Sequence, residues 1–514
     1  MRETSREPSL SPVGPVTVTP HDRRYAELLD RGYNKRTVGS PDRVHVVGTT
    51  EHVVAAVDDA VRARRRIGVR SGGHCLDGIV GNDEVRALID FAEMRALAFD
   101  PEMNAFAIEP GVTMGELYRR LEFGWGVTLP GGDCNAVAAG GHIPGNGFGT
   151  MARRLGLIAD HLYAVEVVVV GADGRARAVV ATREESDPNR DLWWAHVGGG
   201  GGTFGIATRF WMRSRDAEGT DPARLLPTPP RAHATGHAVF DWSAMTEEAV
   251  VRLAANFGAW CENNSAPGSP GTHLYATLSL RRIEAGIVQV VGHIDPTVPG
   301  SERLLDDFLG EVTAGVPAKA TFGRSATRPW LTAALGFPDS SVAQGVLGPP
   351  RWKSKIAILR TRYTDEQIAR AYRHLTRDDY ASPSSGLSLT TYGGQINALA
   401  EDETAFPHRG GTILAGIYSV WDDASRDAEH LAWNRLLYRD LHAETHGVPE
   451  PDDHTDGIAP NWPDLDLLSP EWNSSPIPIG VLYHKDNYPR LQRVKARWDP
   501  LNVFHHPLSV APRP

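Results

Sequence analysis

The sequence predicts an α+β protein of more than one domain, and three observations carry that prediction. Short strand and helix signals alternate from near the N-terminus to about Phe210. A proline-rich polar stretch, RDAEGTDPARLLPTPPRA at 215–232, then breaks the chain. The roughly 220 residues beyond it have a different texture, with long strand signals set between helices.

Taken in order, Val44 and Val46 alternate with polar neighbours, as in a half-buried strand. Thr50 is placed to cap a helix whose apolar positions Val53, Val54, Val57 and Val61 share one face. Arg62, Arg64, Arg65 and Arg66 read as the solvated end of that helix, where cations suit the dipole. Ile67 and Val69 form the next strand. Thr113 and Glu116 make a capping box ahead of Leu117 and Leu121. The β-branched run Val165 to Val170 turns at Ala172-Asp173-Gly174 into a strand over Ala178 to Ala181. Past the break, strands are expected at His273 to Leu280 and Gly386 to Tyr392, with helices at Asp365 to Leu375 and His430 to His442. A Pro/Asp/Asn/Trp-rich stretch fills 449–478. The last helix carries Leu491, Val494 and Trp498 on one face and stops at Asp499-Pro500.

Composition removes several classes of function. The 514 residues hold 53 basic and 63 acidic side chains, a net charge of −10, which argues against nucleic acid as partner. Three cysteines exclude a disulfide framework and a four-thiolate zinc site. His74, Cys75, Cys134 and His142 lack paired metal-ligand spacing, and neither HExxH nor GxSxG occurs. The first residues have no apolar core and no run of about 18 apolar residues exists. The expectation is a soluble cytoplasmic protein, monomer or homodimer, with no membrane partner and a frayed N-terminal stretch of about 15 residues.

The chemistry concentrates in three glycine loops. RSGGHCLDG, Arg70 to Gly78, follows a strand; its adjacent glycines form a backbone nest beside Arg70, with His74 at the mouth. GGDCNAVAAGGHIPGNGFG, Gly131 to Gly149, has seven glycines in nineteen residues. HVGGGGGTFGIATRF, His196 to Phe210, sets five consecutive glycines before a strand. Three such loops in one region point to a large, extended, phosphate-bearing cofactor.

RSGGH, a cysteine some 60 residues on and AAGGHIPGNGFG together resemble the berberine bridge enzyme-like flavin oxidases of the vanillyl-alcohol oxidase superfamily. YGGQINALAEDETAFPHR (Tyr392 to Arg409) and NYPRLQRVKARWDPLNVFHHPLSV (Asn487 to Val510) extend the likeness over nearly the whole chain. DLWWAHVGGGGGTFGIATRFW is similar to the bacterial tirandamycin oxidase and glycopeptide hexose oxidase subgroup. The resemblance implies a two-part PCMH-type FAD-binding domain, residues 16–215 and 456–514, around an inserted substrate domain, 216–455, of antiparallel sheet covered by helices. It implies FAD held twice, by His74 at the 8α-methyl and by Cys134 at ring carbon 6. The cofactor would lie along Arg70, Ser71, Gly72, Gly73, Cys75 and Gly78 and along Gly140, Gly141 and Gly145. Ile206 would touch it through its backbone, with Asn487 and Asn502 nearby. Val137 would leave room for molecular oxygen.

The chain departs from the family pattern on the substrate side. Asn135 stands for a proline, Asn146 interrupts a glycine run and Gln395 replaces a lysine. Tyr483-His484 stands where two tyrosines are expected, while Ala459 and Trp462 replace others. The implied activity is oxidation of a carbinol or aldehyde in a small-molecule natural product. Hydride passes to flavin N5, and oxygen is reduced to hydrogen peroxide. Three side chains compete to take the hydroxyl proton: Tyr418, on a strand where some relatives place their base, His484 and Tyr483. A histidine starts from a pKa of about 6.5, against about 10 for tyrosine. His484 or Tyr418 is favoured, with Tyr483 assisting. Two alternatives stay open. One is an oligosaccharide oxidase using Trp462 and Trp472 to stack sugars; the other is a flavin-dependent oxidative cyclase or non-redox lyase.

Overall fold

The computed structural model describes residues 13–336 and 349–513. The expected frayed stretch falls largely on residues outside these. Among the described residues the strands form three sheets. Strands β1 (Val16–Val18), β2 (Arg43–Val46), β3 (Ile67–Arg70) and β4 (Ala87–Asp90) lie in the order β1-β2-β4-β3, parallel except for β1. Strands β5 (Leu97–Asp100), β6 (Ala105–Ile108), β7 (Leu162–Val170), β8 (Ala176–Thr182) and β9 (Ile206–Met212) form an antiparallel sheet ordered β5-β6-β9-β7-β8. Val165 to Val170 runs inside β7, and β7 pairs with β8 through the expected hairpin.

The third sheet is antiparallel and nine-stranded. It holds β10 (Ala232–Asp241), β11 (Tyr275–Arg281), β12 (Ile287–Ile294), β13 (Thr321–Arg324), β14 (Arg328–Pro329), β15 (Arg351–Leu359), β16 (Ser385–Thr391), β17 (Ile413–Trp421) and β18 (Thr455–Gly457). The order is β13-β10-β12-β11-β16-β17-β15-β18, with β14 on β10. Helices Glu247–Asn263, Ser301–Thr313, Asp365–Thr376 and Asp427–Leu441 cover one face through Phe257, Phe308, Leu375 and Trp433. A strand sends successive side chains to opposite faces. Ala276, Leu278 and Leu280 therefore join that core, while Tyr275, Thr277, Ser279 and Arg281 point the other way. The parallel and antiparallel sheets with this covered sheet make an α+β fold.

Local details refine the sequence reading. Thr49, not Thr50, caps the helix Thr50–Arg62: its hydroxyl accepts from His52 N–H at 3.3 Å from extended backbone. Thr50 instead donates to Glu166 at 2.6 Å. At the end of that helix Arg62 and Arg64 are exposed, as expected of a solvated end, but Arg65, 3.6 Å from Asp59, and Arg66, paired with Glu84, are half-buried. The Thr113–Glu116 capping box forms as expected. Residues Pro270–His273 are a 3-10 turn, so β11 begins at Tyr275 rather than His273. In the last helix, Tyr488–Trp498, Leu491, Val494 and Trp498 share a core with Trp193, Trp194 and Phe204, packing the C-terminal segment onto the first region.

A buried cluster of charges joins all three segments. Lys353 on β15 lies 2.8 Å from both Asp77 and Asp464 and 3.1 Å from Asp466. Lys355 reaches Asp464 at 2.5 Å and Asp466 at 2.8 Å. Arg36 pairs with Asp77 at 2.6 Å and Arg435 with Asp466 at 2.7 Å.

Candidate active site

A cavity of about 870 Å³ opens between the glycine loops and the open face of the nine-stranded sheet. Residues 70–76 and 132–134, then 137, 138, 140–142 and 145, and finally 199–202 contribute to its wall. The three loops singled out in the sequence thus meet at one site.

The geometry of the first loop depends on glycine. Gly73 has φ +79°, and a Cβ there would lie 2.6 Å from the Arg31 carbonyl oxygen. A Cβ on Gly72 would lie 2.8 Å from Ala138 N and 2.9 Å from Ala136 O, and the Gly140 Cα packs against Ser71 Oγ. The His74 loop and the Cys134 loop are therefore in direct contact, and both residues reach the same cavity. Gly73→Val is expected to abolish cofactor loading, because a branched side chain meets both the strained φ and the Arg31 backbone. The absorbance of the purified variant near 450 nm checks this, and normal loading would show the loop is misassigned.

Arg70 lines the wall, yet its guanidinium is held 2.6 Å from Asp90 and also donates to Leu28 O. Its charge is spent on the scaffold. Cys75 also lines the cavity; burial raises its thiol pKa, against the lowering effect of N–H groups of Asp77, Ile79 and Val80. His142 accepts from Gly132 N–H at 2.8 Å, bracing the Cys134 loop. Burial and then His74 bring its pKa down to about 4. Among the described residues no cluster suits a metal ion. Val137 lies on the wall as well.

The candidate proton acceptors separate. His484 ends the short helix Ile479–His484 and lines the cavity. Its Nδ1 has no hydrogen-bond partner. Burial, then His408, brings its pKa down to about 3, so the ring is neutral near pH 7. Tyr483 lines the cavity too, but its hydroxyl oxygen accepts from Asp464 N–H at 3.1 Å. Burial holds its pKa well above the usual phenol value. Tyr418 is not on the wall: it packs with Trp352, Val420, Tyr33 and Leu76 and hydrogen-bonds Arg281. Burial raises its pKa as well, although Arg281 opposes this.

Four other expected contacts also stand back from the wall. Gly78 accepts from Asn82 at 2.6 Å. Ile206 belongs to a core with Val168, Val170 and Phe504. Asn487 donates to Glu401 O at 2.7 Å and Thr404 O at 3.0 Å. Asn502 holds a left-handed turn at φ +51°, and the chain just beyond it reaches the cavity through Phe504, His505 and His506. Trp462 lines the cavity, whereas Trp472 sits between Arg435 and Arg439.

Sequence reasoning missed several wall residues. Asp133 neighbours Cys134 and is held by Thr150 N–H at 3.3 Å and its hydroxyl at 3.2 Å. Burial pushes its pKa up to about 6. The signal was present: it is a lone carboxylate inside an otherwise uncharged glycine loop. Tyr275, Arg281, His293 and Trp352 carried only the alternation of a half-buried strand.

The donor set fits FAD, with a nucleophilic imidazole, a thiol and glycine backbones at one elongated cavity. Family models match independently: an FAD binding domain over residues 41–179, and a "berberine and berberine like" domain over residues 460–511. The aclacinomycin-N/aclacinomycin-A oxidase of Streptomyces galilaeus is 48% identical across 97% of this chain and 90% of its own length. The crystal structure of an aclacinomycin oxidoreductase superposes with a TM-score of 0.93 at 48% identity, covering 97% of this chain and 99% of that one. A glycopeptide hexose oxidase complexed with teicoplanin gives a TM-score of 0.92 at 44% identity, covering 98% of this chain and 100% of that one.

Proposed function

The chain belongs to the berberine bridge enzyme-like FAD-linked oxidases, and on that premise we propose that it oxidises a carbinol of a small natural product in antibiotic tailoring. The observation that carries the reading is the convergence of the His74 and Cys134 loops on one cavity beside a neutral buried histidine. When bound, FAD accepts hydride from the substrate carbon and hands two electrons to oxygen, releasing hydrogen peroxide.

The chain's own residues do the rest. His74 and Cys134 would hold the cofactor by two bonds, at the 8α-methyl and at carbon 6. His484, whose ring lines the cavity, accepts the hydroxyl proton, as a weak base because burial and His408 lower its pKa to about 3. Tyr483 holds the Trp462–Asp464 segment against the wall. Tyr418 braces Trp352 and Arg281 from behind. A sugar-bearing substrate is favoured by Trp352 and Trp462 standing near the polar row Thr277, Ser279 and Gln289, since flat apolar rings and hydroxyl partners together suit a sugar.

Acid-denatured protein should stay yellow. His74→Ala should keep FAD through Cys134 alone, and His74→Ala/Cys134→Ala should release it. A colourless acid precipitate from the unaltered protein refutes the double attachment. Aclacinomycin N and teicoplanin are the first substrates to test. An oxidase yields one peroxide and one carbonyl per alcohol consumed; a cyclase gives a product that has lost hydrogen without a new carbonyl, and a lyase gives no peroxide.

A further inference from the structure

We propose that Tyr33 is a positioning residue that sets the plane of the His74 imidazole for attachment to FAD. The inference rests on the reading that His74 is one of the two attachment points, and it goes beyond that reading by assigning what orients the ring.

Residues 31–36 run alongside residues 71–77 and lace to them almost residue by residue. Arg31 donates to Ser71 O at 3.2 Å, and Tyr33 N–H donates to Gly73 O at 2.9 Å. Asn34 donates to Leu76 O at 2.6 Å, and Arg36 donates to Asp77 at 2.6 Å. Within this ladder the Tyr33 ring stacks on His74, with centroids 4.6 Å apart and planes 15° from parallel. Trp352 backs Tyr33 at 6.2 Å, and Asn34 holds the backbone of Trp352 through its N–H at 2.9 Å and its carbonyl at 3.0 Å. The stack is thus fixed from behind by the sheet of the substrate side.

Hydrogen bonds to a loop's backbone do not by themselves fix the χ2 of an imidazole it carries. Parallel stacking on a fixed ring restricts that angle. Attachment joins a ring nitrogen of His74 to the 8α carbon. The nitrogen and the carbon each give up a proton, and two electrons end on molecular oxygen, which leaves as hydrogen peroxide. Bond formation of this kind depends steeply on the direction of approach, and small misplacement slows it by about 10–10²-fold.

The test uses full-length protein carrying Cys134→Ala, so that His74 is the only link. FAD is added to apoprotein, and covalent incorporation is followed by flavin fluorescence in denaturing gels. Noncovalent affinity is read separately by flavin fluorescence quenching. Adding Tyr33→Ala or Tyr33→Leu should slow incorporation by about 10–10²-fold with little change in noncovalent affinity, and Tyr33→Phe should restore the rate. Should the alanine variant not fold, the leucine variant, which keeps the volume, decides. Incorporation at the parent rate in Tyr33→Leu overturns the proposal. So does loss of all FAD binding in Tyr33→Leu while Tyr33→Phe binds, since the ring would then serve the fold alone. If the Cys134→Ala parent itself never retains FAD, the double-attachment reading fails instead.

Discussion

Lys353→Met is expected to destabilise the protein by about 3–5 kcal/mol, the usual loss when one partner of a buried ion cluster is removed. Lys353 is only 1% exposed and faces three carboxylates. Methionine fills much of the same volume, so the effect is electrostatic: Asp77, Asp464 and Asp466 are left with less positive charge. An apolar core of the same shape would be about as stable; the loss arises from breaking the cluster on one side.

The pH dependence follows from the same geometry. Burial, the largest single influence, would raise Asp77 and Asp466, but Lys353, Arg36 and the Leu465 N–H together outweigh it for Asp77, as Lys355, Lys353 and Arg435 together do for Asp466, and both carboxyls sit below their usual values. Burial would lower Lys353, and Asp464, Asp77 and Asp466 reverse that. The carboxylates therefore contribute stability above about pH 4 that is lost as pH falls toward their folded values. Lys353 contributes stability below about pH 10.5 that is lost as pH rises through its raised value. Urea unfolding at pH 2.5, 7 and 11.5 checks this, with lower stability expected at both extremes. A Lys353→Met protein as stable as the parent at pH 7 would mean the cluster does not hold the segments together.

His484→Gln should slow flavin reduction by about 10²–10⁴-fold, the range for losing a general base. FAD should stay covalently bound. Because burial and His408 keep His484 near 3, it is neutral through the working range and gives no rate limb at pH 6–7. Asp133, raised by burial to about 6, is the wall carboxyl expected to give any limb near that pH, and Asp133→Asn should then remove it while leaving the His484 effect intact. The same depression makes His484 a source of acid lability: stability present above about pH 6.5 falls as pH drops toward 3. Anaerobic stopped-flow mixing over pH 5–9 reads both effects, and reduction of the glutamine variant at the unaltered rate eliminates His484 as the base.

What the sequence made legible was whatever is written locally. The Thr113–Glu116 box was readable because its two hydrogen bonds are reciprocal within one turn. Thr49 was not, because two adjacent threonines compete and only the backbone entry angle decides between them. The glycine loops were visible as loops, but that they share one wall depends on contacts such as Gly72 against Ala138, 66 positions apart. His484 was read with an ordinary pKa, since nothing in its neighbours shows that His408 and a dry environment await it. Tyr418 was expected beside the substrate, and strand parity alone does not reveal that Trp352 covers it.

Strands β11 and β12 divide two jobs by the parity of their numbering. Even-numbered side chains hold the sheet to its helices, and odd-numbered ones, from Tyr275 to Arg281 and Gln289 to His293, face the cavity. Substrate range is thereby separable from foldability along a single stretch of backbone. Exchanging Thr277, Ser279 or Gln289 is expected to alter what the enzyme accepts while the helix-facing core goes untouched, which a substrate panel run beside urea unfolding of each variant checks.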